Sequence, residues 1–216
     1  MSEHHHQHGP EHAEHPAFGP QWWEHHYQGH GARHGSPSPQ LTAEVAGLPV
    51  GTALDAGCGR GADALWLARQ GWRVTAVDVS ATAVGDARKA AEQHEPDVAA
   101  RVHWVVADLT AWAPPTQYDL VVSQYVHPGV PFGAFAARLA RGVAPGGTLL
   151  VVGHDHADEH SAAHAPGPAS IGLDAVTAAL DPRRWVVEVA ESRTRHAGHG
   201  SARPSMHDLV VRARRT

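Results

Sequence analysis

From residue 52 onward, short runs rich in Val, Leu, Ala and Thr alternate with helix-periodic segments, and this alternation restricts the fold more than any other feature of the sequence. The expected strands cover residues 52–56, 73–79, 102–107, 118–124 and 147–153, and the expected helices cover 62–70, 81–94 and 132–142. Strands separated by helices are joined by right-handed crossovers, so helices cover both faces of one mainly parallel sheet. Gly71, Gly142 and the Gly146-Gly147 pair fall at helix ends or strand entries, where the chain must reverse. Pro39 opens a further helix that ends at Gly47. Residues 173–180 read as another helix, and 185–190 and 207–212 close the pattern as two more strands. The predicted architecture is α/β, a doubly wound seven-stranded Rossmann-like sheet.

A chain of 216 residues suits one such domain with a tail. The domain is expected over residues 37–216. Half of the twenty histidines lie in residues 1–36, which lack the apolar periodicity of a packed element and read as a largely flexible tail. Within it, Phe18, Trp22, Trp23 and Tyr27 are spaced for one face of a short helix, which either covers an apolar patch or closes over a ligand. The lone Cys58 forms no internal disulfide, so a reducing, cytoplasmic setting is expected. A formal charge of −5 offers no broad basic surface and argues against nucleic acid as a partner. No apolar run approaches the roughly 20 residues of a membrane span, and the polar start of the chain differs from a secretory signal.

The most specific segment is Leu54-Asp55-Ala56-Gly57-Cys58-Gly59-Arg60-Gly61, placed between an expected strand and an expected helix. Alternate glycines permit a tight turn and close approach of a ligand, and the following helix offers unpaired amide donors. Gly57, Gly59 and Ala62 also satisfy the Gly-x-Gly-x-x-Ala spacing of dinucleotide sites. Asp55 separates the two readings, since a carboxylate repels a pyrophosphate and attracts the ammonium of a methionine-like ligand.

This segment resembles the first motif of the class I methyltransferases that use S-adenosylmethionine (SAM). The similarity continues through Val74-Thr75-Ala76-Val77-Asp78-Val79-Ser80, a stretch that looks like the small bacterial methyltransferases of the tellurite-resistance type. The resemblance implies a sheet whose last strand is antiparallel. It also implies SAM contacts from Asp55, Gly57, Cys58, Gly59 and Gly61. Asp78 is then expected to hold the ribose hydroxyls, beside Val79, unless it merely caps the following helix. Asp108 and Leu109 match the positions that meet the adenine amino group and ring. Trp112 either walls the adenine or packs in the core. Ser123 and Gln124 end the fourth strand and would contact SAM, and Tyr125 and His127 would border the transferable methyl group. His127 is a candidate general base, or a side chain that orients the substrate. No Asn-Pro-Pro-Tyr-like tetrapeptide follows the fourth strand, which argues against amino-methylating enzymes of DNA and protein glutamine.

Neutral imidazole binds zinc, nickel and copper, so the tail histidines suggest loose metal binding; their spacing is irregular and runs on past His26, unlike an appended tag. His156, His160 and His164 follow the fifth strand and would share one face if helical, a candidate metal site for Zn or Ni. His196, His199 and His207 are late enough to reach the same crevice. The expected function is methyl transfer from SAM to a small-molecule acceptor, such as a thiol or a chalcogen oxyanion, by a monomer or homodimer. A metal-binding protein on the same fold and an NAD-dependent reductase are the alternatives.

Overall fold

The computed structural model describes residues 18–29, 35–155, 171–196 and 205–216. Helices α1 (Pro20–Gly29) and α2 (Pro39–Val45) precede strand β1 (Thr52–Ala56), and α3 (Ala62–Arg69) leads to β2 (Arg73–Asp78). Helix α4 (Ala81–His94) and the short α5 (Pro96–Ala99) lead to β3 (Val102–Val106) and β4 (Tyr118–Gln124). Then come α6 (Phe132–Arg141), β5 (Val143–His154), α7 (Leu173–Ala178), β6 (Trp185–His196) and β7 (Ser205–Arg215). The strands form one seven-stranded sheet in the order β3-β2-β1-β4-β5-β7-β6. Strands β1 to β5 pair in parallel, and β7 runs antiparallel to both β5 and β6.

Neighbouring residues of the central strands point to opposite faces, and helices cover both, so these strands read as nearly continuous apolar runs. Leu54, Val121, Leu149 and Val211 join Phe132, Phe135 and Leu139 of α6 on one face. Ala53, Val122, Leu150 and Val210 join Leu41 of α2, Leu65 and Leu67 of α3 and Val84 of α4 on the other. Helix α6 shows why this works: Phe132, Phe135, Ala136, Leu139 and Ala140 are buried at the i, i+3, i+4, i+7, i+8 spacing of a single stripe. Leu149 and Leu150 are both fully buried, and truncation of either to Ala would cost about 2–5 kcal/mol.

The boundaries depart from the sequence-based ranges where long-range pairing overrides local pattern. Strand β5 starts at Val143 because that residue pairs with Tyr118; the pairing then shifts, Leu120 meets Thr148, and the intervening residues bulge through Gly146 at φ 79°. Strands β6 and β7 run well past their expected ends, since their antiparallel ladder continues to His196 and Ser205. Helix α2 stops at Val45, with Gly47 at φ 85° in the turn that follows. Helix α5 was not expected at all. Strand β1 lies between β2 and β4, so the chain winds outward to β3 and then returns to the other side of β1. A ligand crevice belongs at that reversal, beyond the carboxyl ends of β1 and β4.

Candidate functional site

The glycine loop leaves β1 and is tied down by Val77 of β2, whose carbonyl accepts from the amides of Gly57 (2.8 Å) and Cys58 (3.0 Å). Gly57 has φ 90°, and a Cβ there would run into the side chain of Val126. At Gly59, with φ 50°, a Cβ would sit 2.6 Å from the hydroxyl oxygen of Tyr27. Both positions therefore need glycine, and the bare backbone forms one wall of a cavity.

That cavity has a volume of about 700 Å³, within the range of small-molecule sites. Asp78, Val79, Ala107, Asp108, Leu109 and Thr110 border it from the ends of β2 and β3. Gln124 to Val130 border it from the end of β4, and Phe18, Trp23 and Tyr27 close it from α1 and its approach. Of the residues expected at a SAM site, Gly57, Cys58, Gly59, Asp78, Val79, Asp108, Leu109, Gln124, Tyr125 and His127 thus meet around one space. Asp55, Gly61 and Ser123 do not line it: Asp55 and Ser123 are buried behind the loop, and Gly61 packs against the ring of Trp104. Trp112 packs against the α6 face of the core, away from the cavity.

Acid groups dominate the loop. Asp78 accepts from the amide of Gly59 through Oδ2 (2.8 Å) and from that of Ser80 through Oδ1 (2.9 Å), so it clamps the loop while facing the cavity. Asp63, in the first turn of α3, accepts from the Ser38 amide (2.7 Å) and from Nε2 of Gln124 (2.6 Å). Burial pushes the Asp63 carboxyl up from 3.8 to about 6. Asp55 is raised well above the ordinary carboxylate range by burial and then by the charges of Asp63 and Asp78. Its Oδ2 has no hydrogen-bond partner among the described residues. Burial likewise raises Asp78 and the Cys58 thiol. Asp63 and Asp78 border the cavity with Asp55 buried nearby, and a bound cation would offset the cost of ionising these carboxyls there.

Helix α1 is fixed by polar contacts, because none of its residues is buried. Glu24 accepts from Ser80 Oγ (2.7 Å), Thr82 Oγ1 (2.5 Å) and the Thr82 amide (3.2 Å) at the start of α4. Hydrogen bonds from Thr82 and Ser80 hold its carboxyl down to about 2, and the helix N-terminus favours the same negative charge. Arg60 lies over the Tyr27 ring at 5.1 Å and donates to the Tyr27 carbonyl at 2.8 Å. Phe18 stacks on His127 at 5.3 Å, and Trp23 lies nearly parallel to His127 at 6.0 Å. The aromatic spacing announced a helix; nothing local announced Glu24 as its anchor or Asp63 as a wall of the site, since both read as ordinary surface acids of helices.

Tyr125 has φ 54° and donates to the buried Asp208 of β7 at 3.0 Å. His154, paired with Asp208 across the sheet, brings Nδ1 to 3.9 Å from the same carboxylate, and His207 Nδ1 lies 3.4 Å from Thr194 Oγ1. His156, His160, His164 and His199 lie outside the described residues, and among the described residues no group of three His, Cys, Asp or Glu side chains is arranged to hold a metal.

The bare backbone at Gly57 and Gly59 and the raised carboxyls beside it fit the methionine end of SAM, and Asp78 and Asp108 fit its adenosine end. Residues 53–147 match the family model described as "Methyltransferase domain". The chain is 36% identical over 126 residues to the trans-aconitate 2-methyltransferase of Rhizobium meliloti, an alignment that takes in 57% of this chain and 46% of that protein. It spans about half the length of the curated relatives it matches. A solved structure titled for conversion of a disulfide bond into a thioacetal group during echinomycin biosynthesis superposes with a TM-score of 0.67 at 27% identity, over 91% of this chain and 92% of that one. TehB from Haemophilus influenzae shares the fold, with a TM-score of 0.64 at 18% identity over 90% of this chain and 67% of that one.

Proposed function

We propose, from the match of residues 53–147 to the methyltransferase-domain family model, that the chain transfers a methyl group from SAM to a small acceptor through the cavity at the β1–β4 reversal. The observation that carries this reading is the meeting of a bare glycine loop with Asp63 and Asp78 at one cavity wall and Asp55 buried nearby, acids whose charges a ligand cation would offset. The pyrophosphate of a dinucleotide would meet the same acids and be repelled, which disfavours the reductase alternative. No observation among the described residues favours metal handling.

Gly57, Gly59, Asp63 and Gln124 would hold the methionine end, Asp78 the ribose, and Asp108 and Leu109 the adenine. Bound SAM supplies a methyl carbon on a positive sulfonium, which an acceptor's lone pair takes in line while the sulfur keeps the bond pair and becomes the neutral thioether of S-adenosylhomocysteine. The protein's own task is alignment and exclusion of water, and α1 covers the cavity for the second purpose. His127, at the cavity wall, would take a proton from an acceptor that still holds one. A thiol is such an acceptor.

Calorimetric titration of the metal-stripped protein with SAM and with S-adenosylhomocysteine tests the reading. Dissociation constants in the micromolar range are expected, about −8 kcal/mol. Absence of binding by both would overturn it.

A further inference from the structure

We infer that Phe18, Trp23 and His127, whose rings pack together, build the acceptor subsite of this cavity, and that it takes an uncharged acceptor on a ring or other flat apolar body and rejects anions. This rests on the methyltransferase reading above and narrows it, because both the oxyanions suggested by the sequence and the tricarboxylate named for the relatives fall outside it.

The cavity is divided by chemistry. Its β2–β3 side carries Asp78, Asp108 and Thr110, suited to a nucleoside, whereas the side bounded by Val126, Val130 and Phe135 is apolar except for His127. The Phe18 and Trp23 ring centroids lie 5.3 and 6.0 Å from that of His127 and 6.0 Å from each other, so the three rings pack as one aromatic cluster that walls the cavity. The wall is built, since Glu24 pins the helix that carries it to the start of α4. Such a surface gains by contact with a ring and offers an anion no donor array.

Charge points the same way. Among the described residues lining the cavity, Asp63, Asp78 and Asp108 face a single guanidinium, that of Arg60. Arg60 is engaged with the Tyr27 ring and carbonyl and sits 3.4 Å from Asp86. Recognition of carboxylate or oxyanion groups draws on forked guanidinium donors, and among the described lining residues the side bounded by Val126, Val130 and Phe135 presents none. In the transfer, the acceptor's lone pair forms the new bond to the methyl carbon, the sulfonium S–C bond breaks with its electron pair left on sulfur, and the acceptor's proton passes to an imidazole nitrogen of His127.

The test is calorimetry on the full chain saturated with S-adenosylhomocysteine, titrated with phenylmethanethiol, trans-aconitate or selenite. Phenylmethanethiol is expected to bind, with affinity falling about tenfold in Phe18→Ala and in Trp23→Ala and largely restored in Trp23→Phe. S-adenosylhomocysteine affinity should fall far less in the same variants, which also certifies their fold; if an alanine variant does not fold, Phe18→Leu and Trp23→Phe give the comparison. Saturable binding of trans-aconitate or selenite, or phenylmethanethiol binding that ignores both rings or is absent from the loaded protein, overturns the inference alone. Failure of S-adenosylhomocysteine to bind overturns the methyltransferase reading and this inference with it.

Discussion

The phenol of Tyr125 is tied to the carboxylate of Asp208 across 3.0 Å, joining the mouth of the cavity to the last strand of the sheet. Asp208 is fully buried and also accepts from Nε2 of Gln40 at 3.3 Å, so the bond draws β4, α2 and β7 together beside the acceptor side of the cavity. Hydrogen bonds to charged groups contribute about 1.5–3 kcal/mol. Tyr125→Phe is therefore expected to lower unfolding free energy by about 2 kcal/mol in urea titration. The loss of anchoring at a residue held at φ 54° should also slow methyl transfer. A variant as stable as the parent would show that Gln40 and the neighbours of Asp208 suffice without the phenol.

Asp63 yields a pH dependence whose sign follows from its raised pKa. The unfolded carboxyl titrates near 3.8 and the folded one near 6, so the folded protein holds the proton more tightly. Whatever Asp63 contributes to the stability of the ligand-free protein is present below about 4 and lost as pH rises through about 6. Affinity for the cationic end of SAM runs the opposite way, rising as the carboxyl ionises through the same window. Calorimetry with S-adenosylhomocysteine between pH 5 and 8, compared with Asp63→Asn, checks this; a parallel pH profile in the variant removes Asp63 from the site.

Glu24 behaves in the reverse sense. Its carboxyl is held down to about 2 from an ordinary value of 4.5, so its anchoring of α1 is complete above about 4.5 and disappears as pH falls toward 2. Glu24→Gln is expected to release the helix at neutral pH without unfolding the sheet. Hydrogen exchange should then accelerate at residues 20–29 and stay unchanged in β1 and β4, whereas protection of 20–29 in the variant would show that the aromatic contacts alone hold the helix.

The sheet was readable because its cause is local. Each strand from 52 to 124 is a short apolar run, and the intervening helices carry buried residues at helical spacing, as Ala64, Leu65, Leu67 and Ala68 do in α3. The glycine loop was readable for the same reason, since its turn needs glycine wherever it occurs. Elements set by partners far along the chain were not readable. Nothing in residues 143–147 says that Val143 will pair with Tyr118, and nothing in residues 191–196 says that the ladder with β7 continues. Asp63 became a wall of the site only when Gln124 and Ser38 came to lie against it, from 61 and 25 residues away.

Asp78 is the residue on which the cofactor assignment is most exposed to test. The sequence supplies its ribose role by resemblance; the structure adds a second task, because its two oxygens already accept from the amides of Gly59 and Ser80. Alanine would confound the tasks by freeing the loop as well as removing the acceptor. Asp78→Asn keeps the volume and one acceptor oxygen, enough to take the Gly59 amide, while its other group becomes a donor, so it cannot accept from both ribose hydroxyls. It is expected to weaken S-adenosylhomocysteine about tenfold to a hundredfold, about 1.4–2.8 kcal/mol. Comparison of S-adenosylhomocysteine with its 2′-deoxy analogue isolates the ribose: the variant should lose the parent's preference for the 2′-hydroxyl. An Asp78→Asn protein that binds both nucleosides as the parent does would leave Asp78 as the clamp of the glycine loop and nothing more.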